Sequence, residues 1–523
     1  MNPVDLLIAA TAANSGRARQ RRERRHIHLE PRPIAIAAMQ MSIESHAIWG
    51  ALVGTDPDAP VLMIAPEPRT PSIAFGAMGQ LATVVCNAVD AAAAAPRTQI
   101  ARRNRPPWER CSTAPQILVA NEAVVGLIDR LGRRMRPAGY GGHVTVPPEV
   151  NVAGAHLGFY AEEARRPGSA LVVVATRELA QHFATGQSSF ENAHLGAQLA
   201  WFDPAHIERI VPGIANGRDV SRLHGAEAAS LIERVPMSVL TDPELDNGQL
   251  VEAVARFNDG RAGSTDAAVV ARLGGEVADL LRESLEPTWR GLWIAHDTLA
   301  ALPAAPSTAE RWNHDLGAFT RHADYIAQGG RRRSVDSARR AALVLADWES
   351  AQSAYDRDQV LEDTYALMGA IAEGRAIRGD VVAVDPTNQE LGPSGRRRVT
   401  RPLITLELPD DCPFPEGADL WWTERTELRA VINSVVPAGA GGATVVLKVV
   451  AGMGGALPSA GASACFSIYN TGWSPNAPLP PQTPWTHEAP PGNPSDDSTE
   501  LDDGPSLDGL LGLAAPADVE AGR

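Results

Sequence analysis

The order of apolar segments between residues 32 and 150 constrains the fold more than any other feature of the chain. Two runs, "IAIAAMQM" and "SHAIWGALVG", precede the turn "TDPDAP" and a third run, "VLMIAPEP", which predicts a hairpin of strands. The segment "IAFGAMGQLATVVCNAVDAAAAA" predicts a long amphipathic helix. After an arginine- and proline-rich linker at 97–115, "QILVA", "NEAVVGLIDRLGRRM" and "HVTVP" predict strand, helix and strand. Together they predict an α/β domain over residues 32–204.

This order of elements resembles the ribonuclease-H-like topology. The resemblance implies that an active nuclease would hold two metal ions on carboxylates, from the first strand and from the end of the strand that follows the first helix. The arm "AIWGALVG" contains no carboxylate, and Asn121, beside Glu122, stands at the end of the later strand. The pattern therefore favours an inactive or binding version of this layer over a metal nuclease.

The segment "HFATGQSSFENAHLGAQLAWFD" is unusually dense in polar side chains. It follows a predicted strand and helix, "SALVVVATRELAQHF", and predicts a second helix that Pro204 ends. Ser188 and Glu191 have the spacing of a capping box at its start. His194 is expected to point inward, because it shares one face of this helix with three apolar residues. That face carries Phe190, His194, Ala197 and Trp201.

Two functional interpretations of the same segment stay open. Gln187, Glu191 and His194 could line the pocket of a divergent hydrolase or nuclease. Glu191 and His194 also form one Glu-x-x-His, but a di-iron site requires a second copy and two further glutamates. Without that second copy, the sequence predicts neither a metal nor a cofactor.

Residues 1–31 predict a basic N-terminal helix. The helical pattern covers residues 3–25, with Asn2 as its cap and Pro3 in its first turn. Arginines gather at the far end, where their charge complements the helix dipole. They are Arg17, Arg19, Arg21, Arg22, Arg24 and Arg25.

Residues 226–373 predict an α-helical domain. Ser307 and Glu310 have capping-box spacing, and Gly329-Gly330 is a natural helix end. The segment between them, "RWNHDLGAFTRHADY", predicts either an interior polar network or an exposed helix of ion pairs. The alternative is a surface for an anionic ligand or nucleic acid. That surface would contain Arg311, Trp312, Arg321 and the run Arg331, Arg332 and Arg333.

Residues 374–473 change to a period of two, with short strands between Pro/Gly turns, and predict a small antiparallel β-barrel or sandwich. In outline the segment resembles the barrel inserts of superfamily 1 helicases, which implies a role accessory to a helicase or nuclease. Its predicted nucleic-acid contacts are Arg396, Arg397 and Arg398, with Arg401 nearby.

Residues 474–523 are rich in proline and acidic side chains, and predict a disordered tail. One apolar island in this tail predicts a helix that docks into a groove on a protein partner, against the alternative of an inert tail. Its residues are Leu507, Leu510, Leu511 and Leu513.

Charge and lysine content exclude several classes of function. The formal net charge is −15, so any contact with nucleic acid must be local. Lys448 is the only lysine, and it lies in the β-branched run "ATVVLKVVAGMGG". A nucleotide-binding P-loop, kinase chemistry and Schiff-base chemistry each need a positioned lysine that this run does not offer.

The remaining composition predicts a cytoplasmic protein. The four cysteines are far apart and form no C-x-x-C pair, and the N-terminus lacks the order of a secretory signal. No membrane span is predicted. The abundance of Ala, Gly, Pro and Arg resembles uncharacterised proteins of GC-rich actinobacteria. Without a complete catalytic constellation, the sequence favours a scaffold or adaptor that binds a protein or nucleic acid.

Overall fold

The computed structural model describes residues 2–41, 44, 47–102, 105–138, 146–239, 243–264, 266–331, 338–391, 396–438 and 441–471. These residues divide into two units. The larger unit contains residues 11–20 and 25–352, and the smaller unit contains residues 2–10, 21–24 and 353–471.

The strands are β1 (Arg19–Gln20), β2 (Ile34–Gln40), β3 (Ile48–Gly54), β4 (Val61–Ile64), β5 (Arg97–Arg102), β6 (Arg105–Cys111), β7 (Ile117–Val119), β8 (Val172–Val174), β9 (Phe183–Ala184), β10 (Ala376–Asp385), β11 (Gln389–Leu391), β12 (Arg398–Thr400), β13 (Leu403–Leu408), β14 (Asp419–Trp422), β15 (Arg425–Ala438), β16 (Gly442–Ala451) and β17 (Ser463–Ser467).

The helices are α1 (Pro3–Ser15), α2 (Pro71–Ala94), α3 (Glu122–Met135), α4 (Pro148–Glu163), α5 (Ala175–His182), α6 (Leu195–Phe202), α7 (His206–Ile210), α8 (Gly225–Ile232), α9 (Pro243–Leu245), α10 (Val251–Gly263), α11 (Ala267–Ala300), α12 (Thr308–Ala327), α13 (Ala338–Glu362) and α14 (Thr364–Ala372). Short 3₁₀ turns lie at Glu191–Ala193 and Val220–Arg222, and a π-turn lies at Asp246–Leu250.

A five-stranded sheet forms the centre of the larger unit. Its strand order is β4-β3-β2-β7-β8, with β3 antiparallel to both β4 and β2, and with β7 parallel to both β2 and β8. The strands β2, β7 and β8 are buried along their whole length, as expected for strands covered on both faces. The α/β prediction is confirmed.

One apolar core joins this sheet to the helical region. Leu52 of β3, Leu118 of β7, Leu292 of α11 and Phe319 of α12 all belong to it. The helix α11 contacts β2 and β3 directly. The sequence predicts separate domains at 32–204 and 226–373. That they fold independently stays a prediction, and the shared core argues against it.

Three local predictions are corrected in the larger unit. The linker predicted at 97–115 contains the antiparallel hairpin β5–β6, and proline is tolerated there because each strand of a two-stranded sheet has a free edge. Residues 148–163 form α4, for which no element is predicted. The segments "AAVVARLGGEVADLLRESL" and "PTWRGLWIAHDTLAAL" predict two helices that meet near Pro287. The helix α11 instead continues through this proline, because Leu285 and Trp289 on either side are held in the core. The predicted strand "HVTVP" lies mostly outside the described residues.

Two predicted helix boundaries also differ. The helix α1 ends at Ser15 rather than at residue 25, because Gly16 adopts the left-handed φ of 63° that ends helices. Ser307 has helical backbone angles and makes no capping bond with its side chain; its Oγ instead accepts from Arg311 Nη1 at 2.7 Å. The predicted stop at Gly329 is confirmed by its φ of 83°.

The smaller unit contains a closed antiparallel barrel of strand order β10-β13-β16-β15-β14-β17, which confirms the predicted β-domain. Val445, Leu447 and Val449 of β16 fill its interior, while Lys448 alternates outward. The prediction of Asn2 as a helix cap is confirmed, since its Oδ1 accepts from Asp5 N at 2.7 Å.

The helix α2 is long and apolar enough to cross a membrane by length and composition alone. Nine of its side chains are buried, and several pack in the core of the larger unit. This packing is that of a core helix.

Candidate nucleic-acid interface

The hairpin β5–β6 is fixed to α12 by contacts at its base. Arg97 forms a two-point ion pair with Asp324 at 2.7 and 3.0 Å, and Arg110 donates twice to Asn313 at 2.8 and 3.0 Å. The backbone N–H of Cys111 donates to Thr320 Oγ1 at 3.0 Å. These bonds hold the hairpin in one orientation on the helix.

The tip of the hairpin carries cationic and aromatic side chains. The guanidinium of Arg102 lies 5.0 Å from the centre of the Trp108 ring, and that of Arg321 lies 5.8 Å from it. Trp108 approaches α12 beside Gly317, where a Cβ atom would lie 3.6 Å from the ring. Burial lowers the pKa of Arg110, and burial likewise lowers the pKa of Arg321. Both groups remain cations at neutral pH, since a guanidinium loses its proton only far above neutrality.

Of the three predicted contacts on α12, only Arg321 joins this surface. Trp312 is buried and stacks on His28, with ring centres 4.2 Å apart. Arg311 donates to the carbonyl of His26 at 2.9 Å and so supports the interior. Of the run Arg331 to Arg333, only Arg331 is described, and it is exposed.

The opposite face of α12 forms a buried polar cluster, as one alternative for this helix predicts. Asp315 is 1% exposed, and its Oδ2 accepts from Ala170 N at 2.7 Å. Burial raises its pKa to about 6. Glu163 of α4 has an Oε2 shielded from solvent without a hydrogen-bond partner, and burial raises its pKa to about 7. Arg166 supplies nearby positive charge and pairs with Asp347 at 3.0 Å.

The carboxyl ends of β7 and β8 lie at one edge of the sheet, and the end of β7 is one of the places where the ribonuclease-H-like resemblance implies a carboxylate. Asn121 follows β7 and is 7% exposed; its Nδ2 lies 3.5 Å from the carbonyl of Ala193. Beyond it, Arg177 lies between two carboxylates, at 3.0 Å from Glu122 Oε1 and 3.1 Å from Glu178 Oε1. Burial alone would lower the pKa of Arg177, but the two carboxylates outweigh this effect and raise the pKa. A guanidinium therefore occupies the space between the carboxylates of this edge.

The segment around Glu191 is held by capping bonds. Ser188 N donates to Glu191 Oε2 at 2.7 Å, and Glu191 N donates to Ser188 Oγ at 3.3 Å, which is the predicted capping box. The capping box closes a 3₁₀ turn instead of starting the predicted helix. Phe190 therefore points to solvent and is 88% exposed. The prediction of one apolar helix face through Phe190 is therefore wrong.

His194 is the true N-cap of α6. Its Nδ1 accepts from Ala197 N at 3.0 Å, and its Nε2 donates to the carbonyl of Val235 at 2.9 Å. Both ring nitrogens are engaged, which fixes the orientation of the ring. Gln187 retains a shielded Oε1 without a hydrogen-bond partner. The predicted pocket of Gln187, Glu191 and His194 stays a prediction, with structural roles for two of its three members.

The predicted barrel contacts lie on a second hairpin, β11–β12. Arg396, Arg397 and Arg398 are all exposed. The predicted docking leucines, Leu507, Leu510, Leu511 and Leu513, lie outside the described residues.

Within the described part of the chain, no three His, Cys, Asp or Glu side chains lie close enough to hold a metal ion. Comparison with protein-family models, curated proteins and solved structures found no match. Functional inference therefore depends on the geometry alone.

Sequence reasoning missed the β5–β6 surface and the Arg177 bridge. The five arginines between residues 97 and 111 indicate a basic surface, but the prolines among them favour a linker over a pair of strands. The bridge brings together residues 55 positions apart, and no local pattern predicts such a contact.

Proposed function

We propose that this chain is a non-catalytic, nucleic-acid-binding scaffold or adaptor of the cytoplasm, and that the hairpin β5–β6 contacts the phosphodiester backbone. The observation that carries the proposal is a firmly anchored hairpin whose positive charge opposes that of the chain. Residues 97–111 contain five arginines and one glutamate, although the formal net charge of the chain is −15. A local basic surface is what attracts a polyanion to an acidic protein.

Two guanidinium groups of this hairpin carry positive charge that no carboxylate among the described residues neutralises. Arg102 forms no ion pair with another described residue, and the partner of Arg110, Asn313, is neutral. Arg97 instead fixes the position of the hairpin, because Asp324 neutralises its charge. A two-stranded ribbon fits the major groove of a duplex, and arginine with tryptophan also suits a single strand. The shared ligand chemistry is the phosphodiester backbone.

The carboxyl edge of the sheet supports binding rather than cleavage. Metal-dependent cleavage requires carboxylates that are free to hold cations. Here Arg177 already supplies positive charge to Glu122 and Glu178, and Asn121 stands at the end of β7. Because these groups compensate one another, this edge favours a structural ion-pair cluster over a metal site.

Fluorescence anisotropy with a labelled 20-nucleotide single strand and the corresponding duplex tests the binding. The variant R102Q/R110Q should bind roughly tenfold more weakly, a change of about 1.4 kcal/mol. The control R133Q/R165Q removes the same charge from two exposed arginines that pair with Asp129. Equal losses in both variants would show that only overall charge matters, and would refute the assignment to the hairpin. The single strand and the duplex identify the preferred form.

Incubation of the same oligonucleotides with the protein and Mg²⁺ or Mn²⁺ tests the non-catalytic part. We expect no cleavage above that of the buffer. Cleavage by the wild-type protein that E178Q abolishes would overturn this part of the proposal. Docking of a protein partner through the tail leucines is a separate proposal that this experiment leaves aside.

A further inference from the structure

We infer that the barrel hairpin β11–β12 is a second, independent phosphate-binding surface, formed by Arg396, Arg397 and Arg398. The inference shares its ligand class with the proposed function, but it concerns a different unit and different residues. Its evidence is the position, the anchoring and the charge of this hairpin.

The paired strands β11 and β12 form an insertion between barrel strands β10 and β13. Gln389 pairs with Thr400, and Leu391 pairs with Arg398. At its base, Arg401 N donates to the carbonyl of Asn388 at 2.8 Å, and Asn388 Nδ2 donates back to the carbonyl of Arg401 at 2.8 Å. These bonds close the base of the hairpin, and Arg401 Nη1 fixes that base to the barrel by donating to the carbonyl of Val450 of β16 at 3.0 Å.

The charge of this hairpin is uncompensated. Glu390 is its only acidic residue between positions 386 and 402, and it pairs at 3.1 Å with Lys448, the only lysine of the chain. The exposed guanidinium groups of Arg396, Arg397 and Arg398 form no ion pair with any other described residue. Lys448 thus pairs with the only carboxylate of this segment.

A polyanion suits this surface better than a small anion. The arginines are exposed, so a single phosphate ion would remain hydrated and bind weakly. A nucleic acid spans several guanidinium groups at once and releases its condensed counterions, which gives a larger favourable free energy. Leu391, which is 67% exposed and paired with Arg398, offers an apolar contact to a sugar or base.

Calorimetric titration of the full chain with an 8-nucleotide single strand at low salt tests this inference. We expect two binding sites per chain, one site in R396Q/R397Q/R398Q, one in R102Q/R110Q and none in the combined variant. A single wild-type site that the barrel variant leaves unchanged would overturn the inference and leave the proposed function standing. Two sites of which only the barrel site responds to substitution would support the inference and contradict the proposed function.

The matched control R69Q/R133Q/R165Q removes three charges from exposed arginines of the larger unit that already have carboxylate partners. It should retain both sites. If it loses a site as the barrel variant does, general charge explains the binding and the inference fails. Circular dichroism of each variant establishes that the fold is unchanged.

Discussion

Replacing Glu163 with glutamine should stabilise the larger unit above neutral pH. One carboxylate oxygen of Glu163, Oε2, is shielded from solvent and has no hydrogen-bond partner. Burial raises its pKa from 4.5 to about 7, whereas nearby Arg166 lowers it only partly. This pKa difference lowers the free energy of unfolding by about 3 kcal/mol at pH 8, because the folded state must hold a charge that water solvates in the unfolded chain.

The sign of the pH dependence follows from the raised pKa. Between pH 4.5 and about 7 the folded state binds more protons at Glu163 than the unfolded state does, so this residue makes the stability fall as pH rises through that window. The glutamine cannot ionise, so E163Q should lack this contribution. We expect the variant to exceed the wild-type free energy of unfolding by up to about 3 kcal/mol at pH 8, and to approach it at pH 5.

Denaturant unfolding followed by tryptophan fluorescence at pH 5, 6, 7 and 8 measures this difference. The control is E162Q, which removes the same charge from the adjacent residue of α4. A difference between E163Q and wild type that stays constant over this range, or one that E162Q reproduces, would refute the argument that Glu163 is strained by its burial.

Three further substitutions test the packing by denaturant unfolding. Gly186→Ala should cost about 1–3 kcal/mol, since a Cβ would lie 2.3 Å from Trp201 Cη2; an unchanged stability would disprove this packing. His194→Ala should cost about 1–2 kcal/mol by removing the cap of α6, and His194→Asn should restore part of it; equal losses would argue against capping. Asp363→Ala should cost about 2–3 kcal/mol in the smaller unit, because this carboxylate accepts four backbone N–H groups; a loss below 0.5 kcal/mol would contradict that role.

The sheet and the barrel could be predicted because their strands follow simple burial patterns. Strands covered on both faces appear as unbroken apolar runs, as β7 and β8 do. Strands of the barrel alternate, and β16 keeps this alternation over most of its length. Burial of this kind is a local property of the sequence, so the elements and their order follow from it.

The binding surface could not be predicted because distant contacts determine it. The hairpin β5–β6 has little apolar alternation, and its ion pair joins Arg97 to Asp324, which lie 227 positions apart. The segment around Glu191 shows a different limit. The spacing of Ser188 and Glu191 predicts the capping box correctly. The same spacing occurs at the start of a 3₁₀ turn or of an α-helix, and Phe190 is exposed because the structure forms the turn.

The salt dependence of nucleic-acid binding tests the central claim most directly. A plot of log K against log salt concentration should be linear for the wild-type protein, because each phosphate contact releases counterions. For R102Q/R110Q the magnitude of the slope should fall by about 1.4 on a single strand or about 1.8 on a duplex. The control R133Q/R165Q should keep the wild-type slope. An unchanged slope in R102Q/R110Q would contradict the assignment of phosphate contacts to the hairpin β5–β6.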